Sequence, residues 1–297
     1  MRVIIQALLV AVLATSCTQT KEYQVVATTS VVADAARQLL PADVEVTALM
    51  SSNIDPHSYK PVERDVHVLQ GAQVVLYNGL HLEGKMVEIL EKLERQKPVF
   101  ALGSALAPSK LIEVGPQTYD PHIWFDLALW GECVQGLSQF LQAQYPVHAE
   151  VIARNETAYL AQLRKAHEEF ISALEHVPAE QRAMVTAHDA FSYFGRAYSI
   201  EVRGLQGIST VAEFGVKDLV ETAQFILDHG LSTVFTETSV NPKSMEALKE
   251  AVEQKGGTLS LGEPLFSDAL GTPGTAESTL LGAFAHNAAQ VVKSFDK

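Results

Sequence analysis

Between residues 23 and 102 the chain alternates two hydrophobic periods. Short apolar runs at 23–29, 44–49, 74–77 and 99–102 have the length and continuity of strands buried on both faces. The stretches between them, 30–40, 61–70 and 83–96, space their apolar residues as helices do. Ser30 is suited to cap the first helix, and Gly71-Ala72 to break the second before the next strand. This strand–helix rhythm predicts a parallel sheet with a ligand site in the loops at the strand C-terminal ends. A loop carrying Asp120-Pro121-His122 follows, and residues 127–145 then read as a helix ended by Pro146.

Residues 147–176 form helix-favouring sequence with almost no breakers, about 45 Å long if continuous. Arg154, Glu156, Arg164, Lys165, Glu168 and Glu169 crowd one side; Tyr159, Leu163, Ala166, Phe170 and Leu174 repeat along another. A narrow apolar stripe on so long a helix suits a backbone spanning two domains, and the same pattern would suit a peripheral helix of one domain. Beyond Pro178 the rhythm restarts, with strands at 184–186, 201–205, 233–236 and 259–261. Helices are expected at 191–197, 216–229, 242–254 (Pro242 in the first turn) and 280–295. The expected fold is α/β: two lobes with parallel sheets, 17–146 and 178–297, joined by one long rigid helix over 147–177. The lobes share a rhythm but no repeated sequence.

Residues 1–16 hold one Arg and then a mostly apolar run, too short to span a membrane and suited to a signal-peptide core. The run ends at Ala14-Thr15-Ser16-Cys17. Small residues before a Cys resemble a bacterial lipobox, in which the Cys is lipidated and becomes the mature N-terminus. Ala14 stands where Leu is usual, and ordinary signal cleavage near this point is the alternative. One acyl chain binds a membrane only marginally, so firm anchoring would need a diacylated, N-acylated Cys17. An acylated Cys17 leaves Cys133 without a partner, so no disulfide framework is expected. Cys133 falls among Leu129, Leu137 and Phe140 at helical spacing, as a small buried apolar residue.

A hydrophobic content of 47% permits a packed core and disfavours disorder. A net charge of −13 lacks the basic face that nucleic-acid binding wants.

Asp-Pro-His occurs twice, at Asp55-Pro56-His57 and Asp120-Pro121-His122. Proline stiffens each turn and aims the imidazole, and each upstream Asp could orient a ring nitrogen. His188, in Thr186-Ala187-His188-Asp189, follows a strand pattern; Asp268, in Phe266-Ser267-Asp268-Ala269, lies in a loop punctuated by Gly and Pro. Of the ten histidines, 148, 167, 176, 229 and 286 sit in helical stretches as surface or packing residues, while His67 and His81 are weaker candidates. His57, His122, His188 and Asp268 are therefore expected to enclose one divalent ion, each half supplying two ligands. Imidazole and carboxylate suit Zn²⁺ and Mn²⁺; a monodentate Asp fits tetrahedral zinc, and a bidentate one fits manganese better. Four protein ligands leave no water to activate, which favours capture over catalysis. Glu237, Asp126 and Asp189 lie close by in pattern as supporting residues, caps or hinge partners; Trp124 and Phe191 would shield the ion or pack the core.

These motifs, with Val26-Ala27-Thr28-Thr29-Ser30, Asp55-Pro56-His57-Ser58-Tyr59, Asn78-Gly79-Leu80, Ile123-Trp124, Ala190-Phe191-Ser192-Tyr193-Phe194 and Leu265 to Leu270, span nearly the whole mature chain. Together they resemble the TroA-like (cluster A-I) metal-binding lipoproteins that serve zinc and manganese ABC importers. The resemblance implies two α/β lobes on a rigid helix, a metal in the cleft between them, and ligands at His57, His122, His188 and Asp268. It also implies a monomer at the periplasmic or outer cell surface, anchored through Cys17, that delivers Zn²⁺ or Mn²⁺ to a membrane permease. Zinc-dedicated members often carry a long His-rich loop before the second ligand, whereas here 110–119 is short and lacks His. Two other function classes share the pattern: a periplasmic zinc hydrolase with a His₃ site and Glu237 as base, and a surface adhesin.

Overall fold

The computed structural model describes residues 23–212 and 214–296. The expected signal segment, 1–16, and Cys17 lie outside them. The first lobe runs β1 (Tyr23–Ala27), α1 (Ser30–Leu39), β2 (Val46–Ala48), α2 (Glu63–Gly71), β3 (Ala72–Tyr77), α3 (Val87–Glu94) and β4 (Val99–Ala101). Its four strands form one parallel sheet in the order β2-β1-β3-β4. Successive side chains of a strand face opposite ways, and both faces are used. Val25, Ala27, Val74 and Leu76 pack with Val32, Ala36 and Leu39 of α1. Val26 and Val75 pack with Leu69, Leu90 and Leu93 of α2 and α3. Burial on both faces is why these strands read as unbroken apolar runs.

Two local expectations change. The cap of α1 is Thr29, whose hydroxyl accepts the Val32 N–H at 3.2 Å. Ser30 is instead the first helical residue, and its hydroxyl accepts the Leu270 N–H from the other lobe at 2.9 Å. The segment read as a plain loop holds an antiparallel hairpin, β5 (Glu113–Gly115) with β6 (Thr118–Tyr119), turned at Gln117 with φ of 56°. Strands this short show no period in sequence.

α4 (Leu127–Gln144), capped by Asp126, leads into the long α5 (Ala149–Ala173) of 25 residues. A 3₁₀ turn at Pro146–His148 takes up the first residues of the predicted run. The second lobe runs β7 (Ala183–His188), α6 (Ser192–Tyr198), β8 (Glu201–Gln206), α7 (Val216–Asp228), β9 (Thr233–Glu237), α8 (Lys243–Gln254), β10 (Ser260–Leu265) and α9 (Leu280–Phe295). β7 pairs parallel with β8, β9 with β10, and β9 lies beside β7. β7 extends beyond the expected strand, so that His188 is its last residue.

α5 packs on α1 and α4 of the first lobe and on α9 of the second. It buries Ile152, Tyr159, Leu163 and Phe170. Phe170 stands 5.2 Å from Phe194, 4.7 Å from Tyr198 and 5.6 Å from Phe284, measured between ring centroids. One apolar cluster therefore runs without a break from Val25 in the first sheet to Phe284 in α9. The long helix is the shared core of both lobes rather than a bare strut.

Phe170→Ala should lower unfolding free energy by about 3–5 kcal/mol, the usual cost of emptying a well-packed aromatic site. Urea denaturation followed by circular dichroism checks this; a loss below about 1 kcal/mol would contradict the shared core.

Candidate metal centre

The two Asp-Pro-His turns place their histidines alike but support them differently. Asp120 Oδ1 accepts both the backbone N–H of His122 at 2.9 Å and its ring Nδ1–H at 2.7 Å. Asp55 Oδ1 accepts only backbone groups, from His57 at 2.8 Å and Ser58 at 3.4 Å. The expectation that both Asp residues orient a ring therefore holds for Asp120 alone.

His188 ends β7, and Glu237 ends the neighbouring β9. Glu237 Oε1 accepts the His188 N–H at 2.9 Å, and Oε2 lies 2.6 Å from His188 Nδ1. Glu237 thus holds His188 through its backbone N–H and sets a carboxylate beside its ring, whereas Asp120 hydrogen-bonds both the backbone and the ring of His122. β8 passes close behind. A Cβ on Gly204 would come within 2.4 Å of Asp189 N and 2.6 Å of the His188 carbonyl carbon, so only glycine fits there.

Asp268 sits in the loop after β10. Trp124 Nε1–H donates to Ser267 O at 3.0 Å, and Asn287 of α9 bonds both the N–H and the C=O of Phe266. Both carboxylate oxygens of Asp268 are buried without a hydrogen-bond partner. Such groups are costly unless something else satisfies them.

The four side chains expected to meet do so. His57 Nε2 lies 3.1 Å from His122 Nε2 and 3.8 Å from Asp268 Oδ2. Asp268 Oδ1 is 3.4 Å from His122 Nε2, and Oδ2 is 3.3 Å from His188 Nε2. One donor atom from each residue lies within 4.8 Å of all the others. Two ligand atoms on a tetrahedral zinc ion stand about 3.4 Å apart, so the spacing suits a single ion. The other seven histidines lie outside the cluster.

Burial is nearly complete: His57 is 6% exposed, His122 and His188 0%, and Asp268 1%. Burial would raise the Asp268 carboxyl, but His188 and His122 hold it well below the usual carboxylate range. For His122 burial opposes the charge, yet Asp120 and Asp268 outweigh it and push the ring up to about 9. His188 is raised for the same reason, burial being overcome by Glu237 and Asp268. Burial pulls His57 down to about 4, with Asp268 opposing and the other two imidazoles reinforcing. The carboxylates that raise the His122 and His188 rings make this a pocket of negative charge suited to a cation.

The neighbouring residues take distinct places. Trp124 packs edge-on against the His122 ring at 5.4 Å. Phe191 stacks on Phe125 at 5.3 Å and belongs to the core. Asp126 caps α4 and pairs with Arg196, and Asp189 accepts the Ser192 hydroxyl. The part Glu237 plays was open in the sequence, because strand adjacency rather than any local motif brings it to His188.

The chain matches the family described as "ZnuA: Zinc-uptake complex component A periplasmic" over residues 25–294, and it belongs to that family. It is 40% identical to the manganese-binding lipoprotein MntA of Bacillus subtilis over 275 residues, 92% of this chain and 90% of that one. It is also 40% identical to the zinc-binding protein TroA of Treponema pallidum over 268 residues, 90% and 87% of the two chains. The solved periplasmic zinc-binding TroA of the same organism superposes with a TM-score of 0.90 at 38% identity, covering 93% of this chain and all of that one.

In metal-free protein, Glu237→Gln should lower the His188 pKa while His122 stays raised, because Glu237 is the largest charge holding His188 up. Histidine ring resonances followed by NMR across pH read this directly; an unmoved His188 would contradict the pairing.

Proposed function

We propose that this member of the ZnuA family captures one Zn²⁺ or Mn²⁺ through His57, His122, His188 and Asp268 and hands it to the permease of an ABC importer. The observation that carries the reading is the buried Asp268 carboxylate, with no hydrogen bond to either oxygen, facing three imidazole nitrogens. A divalent cation satisfies all of these groups at once. Both Asp268 oxygens face the trio, so monodentate binding suits zinc and bidentate binding suits manganese. The names of the two relatives, one for each metal, support this pair.

The protein is a receptor, not an enzyme, in this reading. Four protein groups fill a tetrahedral ion and leave no site for a reactive water. Glu237, the base a hydrolase would need, has one oxygen on the His188 N–H and the other against its ring. No observation favours the adhesin reading. The lobes are taken as 17–146 and 178–297 about the helix at 147–177. Signal cleavage leaves Cys17 lipidated, holding a monomer at the outer face of a membrane; the lipoprotein names among relatives support the anchor. Release follows displacement of the Asp268 lobe when the loaded protein docks, within the small shifts that a rigid linker allows.

Metal analysis of the purified protein should find about one ion per chain, and competitive titration should show His122→Ala and Asp268→Ala binding more than about a hundredfold more weakly. Full binding retained in both variants would overturn the assignment.

Ligation requires His122 to shed its proton, so metal affinity should rise between about pH 6 and about pH 9. The stabilisation that protonated His122 gives the metal-free protein is complete below its unfolded pKa of about 6.5 and is lost as pH climbs through its folded value. These are two sides of one proton linkage, which widens the rise in melting temperature on adding Zn²⁺ as pH increases; differential scanning calorimetry showing the opposite trend would refute the sign.

A further inference from the structure

Three of the four metal-facing groups are held by more than their own backbone. Asp120 grips the His122 ring, Glu237 faces the His188 ring, and Trp124 with Asn287 pins the Asp268 loop. His57 differs. It is the most exposed of the four and stands farther from Asp268 than the other two histidines do. Among the described residues no carboxylate bonds its Nδ1. What fixes it is the turn in which Asp55 Oδ1 accepts its backbone N–H.

The other oxygen of Asp55 is also taken. Thr210 Oγ1–H donates to Asp55 Oδ2 at 2.6 Å, from a residue 155 positions along the chain in the opposite lobe. Thr210 lies in the turn after β8. The last residue of that strand, Gln206, pairs in register with His188. Gln206 Nε2–H reaches Ala212 O at 3.5 Å, and the Ala212 N–H closes back on Ser209 O at 3.2 Å, which braces the turn. A single polar line thus joins the His57 backbone through Asp55 and Thr210 to β8, the neighbour of the strand that carries His188.

We propose that Thr210 is a positioning residue whose hydroxyl ties the His57 turn to the second lobe and so sets how fast a bound divalent ion leaves. The inference rests on the four-ligand reading above. His57 is the ligand nearest solvent, so in the free protein, away from any permease, a bound ion is shed most readily when this ligand swings away first. The tie contributes no metal bond of its own; it restrains the ligand whose motion opens the path. A hydroxyl bond to a carboxylate is strong enough for its loss to speed dissociation about tenfold.

The test uses the whole mature protein loaded with Zn²⁺ and mixed with excess chelator in a stopped-flow instrument. Thr210→Val keeps the shape and removes the donor, and should release the ion about tenfold faster. Thr210→Ser keeps the donor and should stay within about twofold of the unaltered protein. In an Asp55→Ala background, Thr210→Val should add nothing, since the acceptor is already gone. Stoichiometry and the circular dichroism of the metal-free protein should be unchanged in Thr210→Val, which separates the tie from a folding defect. Unaltered release in Thr210→Val, fast release in Thr210→Ser, or a full further effect on top of Asp55→Ala would each overturn the proposal. Failure of the unaltered protein to bind one ion would instead sink the ligand reading, and this inference with it.

Discussion

Asp268 is a charge taken out of water with no hydrogen bond to either oxygen. Burying a carboxylate in this way is unfavourable by several kcal/mol unless opposite charge surrounds it. Here the compensation comes from imidazoles that are themselves buried, two of which are raised by further carboxylates behind them as well as by Asp268 itself. The cluster is thus a nested arrangement of alternating charge: Asp268 at the centre, histidines around it, Asp120 and Glu237 outside. Each layer is tolerable only because of the next. In the proposed reading a dication among the imidazoles keeps that alternation and adds directional bonds.

Such a nest needs walls that do not yield. Tyr193 Oη donates to Asp120 O at 2.9 Å and accepts the Ile112 N–H at 3.1 Å, joining the second lobe to the first beside His122. The Asp34 carboxylate of α1 accepts the Leu280 N–H at the start of α9. Behind these bonds the aromatic cluster around Phe170 and the stacked pair Phe125–Phe191 fill the space between the lobes. A continuous core resists wide opening, because separating the lobes would expose these rings to water. Small displacements of loops, not swings of whole lobes, are what this packing permits.

Much of this was legible in the residues. Strands buried on both faces left continuous apolar runs, and the helices left their period. The duplicated Asp-Pro-His turns and the motifs around His188 and Asp268 pointed to the four side chains that meet. What could not be read was whatever depends on neighbours distant in sequence. Glu237 reaches His188 because β9 lies beside β7, and no spacing encodes that adjacency. The different duties of Asp55 and Asp120 are invisible in two identical tripeptides, since ring orientation is decided by surroundings. The hairpin over residues 113–119 was too short to show a period, and Thr29 displaced Ser30 as cap by a single position.

The sequence contains two tryptophans, and they are placed very unequally. Trp130, on α4, is fully buried in the apolar core. Trp124 forms a T-shaped pair with the His122 ring and donates its indole N–H to the Asp268 loop. Its ultraviolet emission should therefore respond to the seating of that loop and, in the proposed reading, to an ion on the adjoining imidazole, which would give the molecule an optical gauge that needs no label.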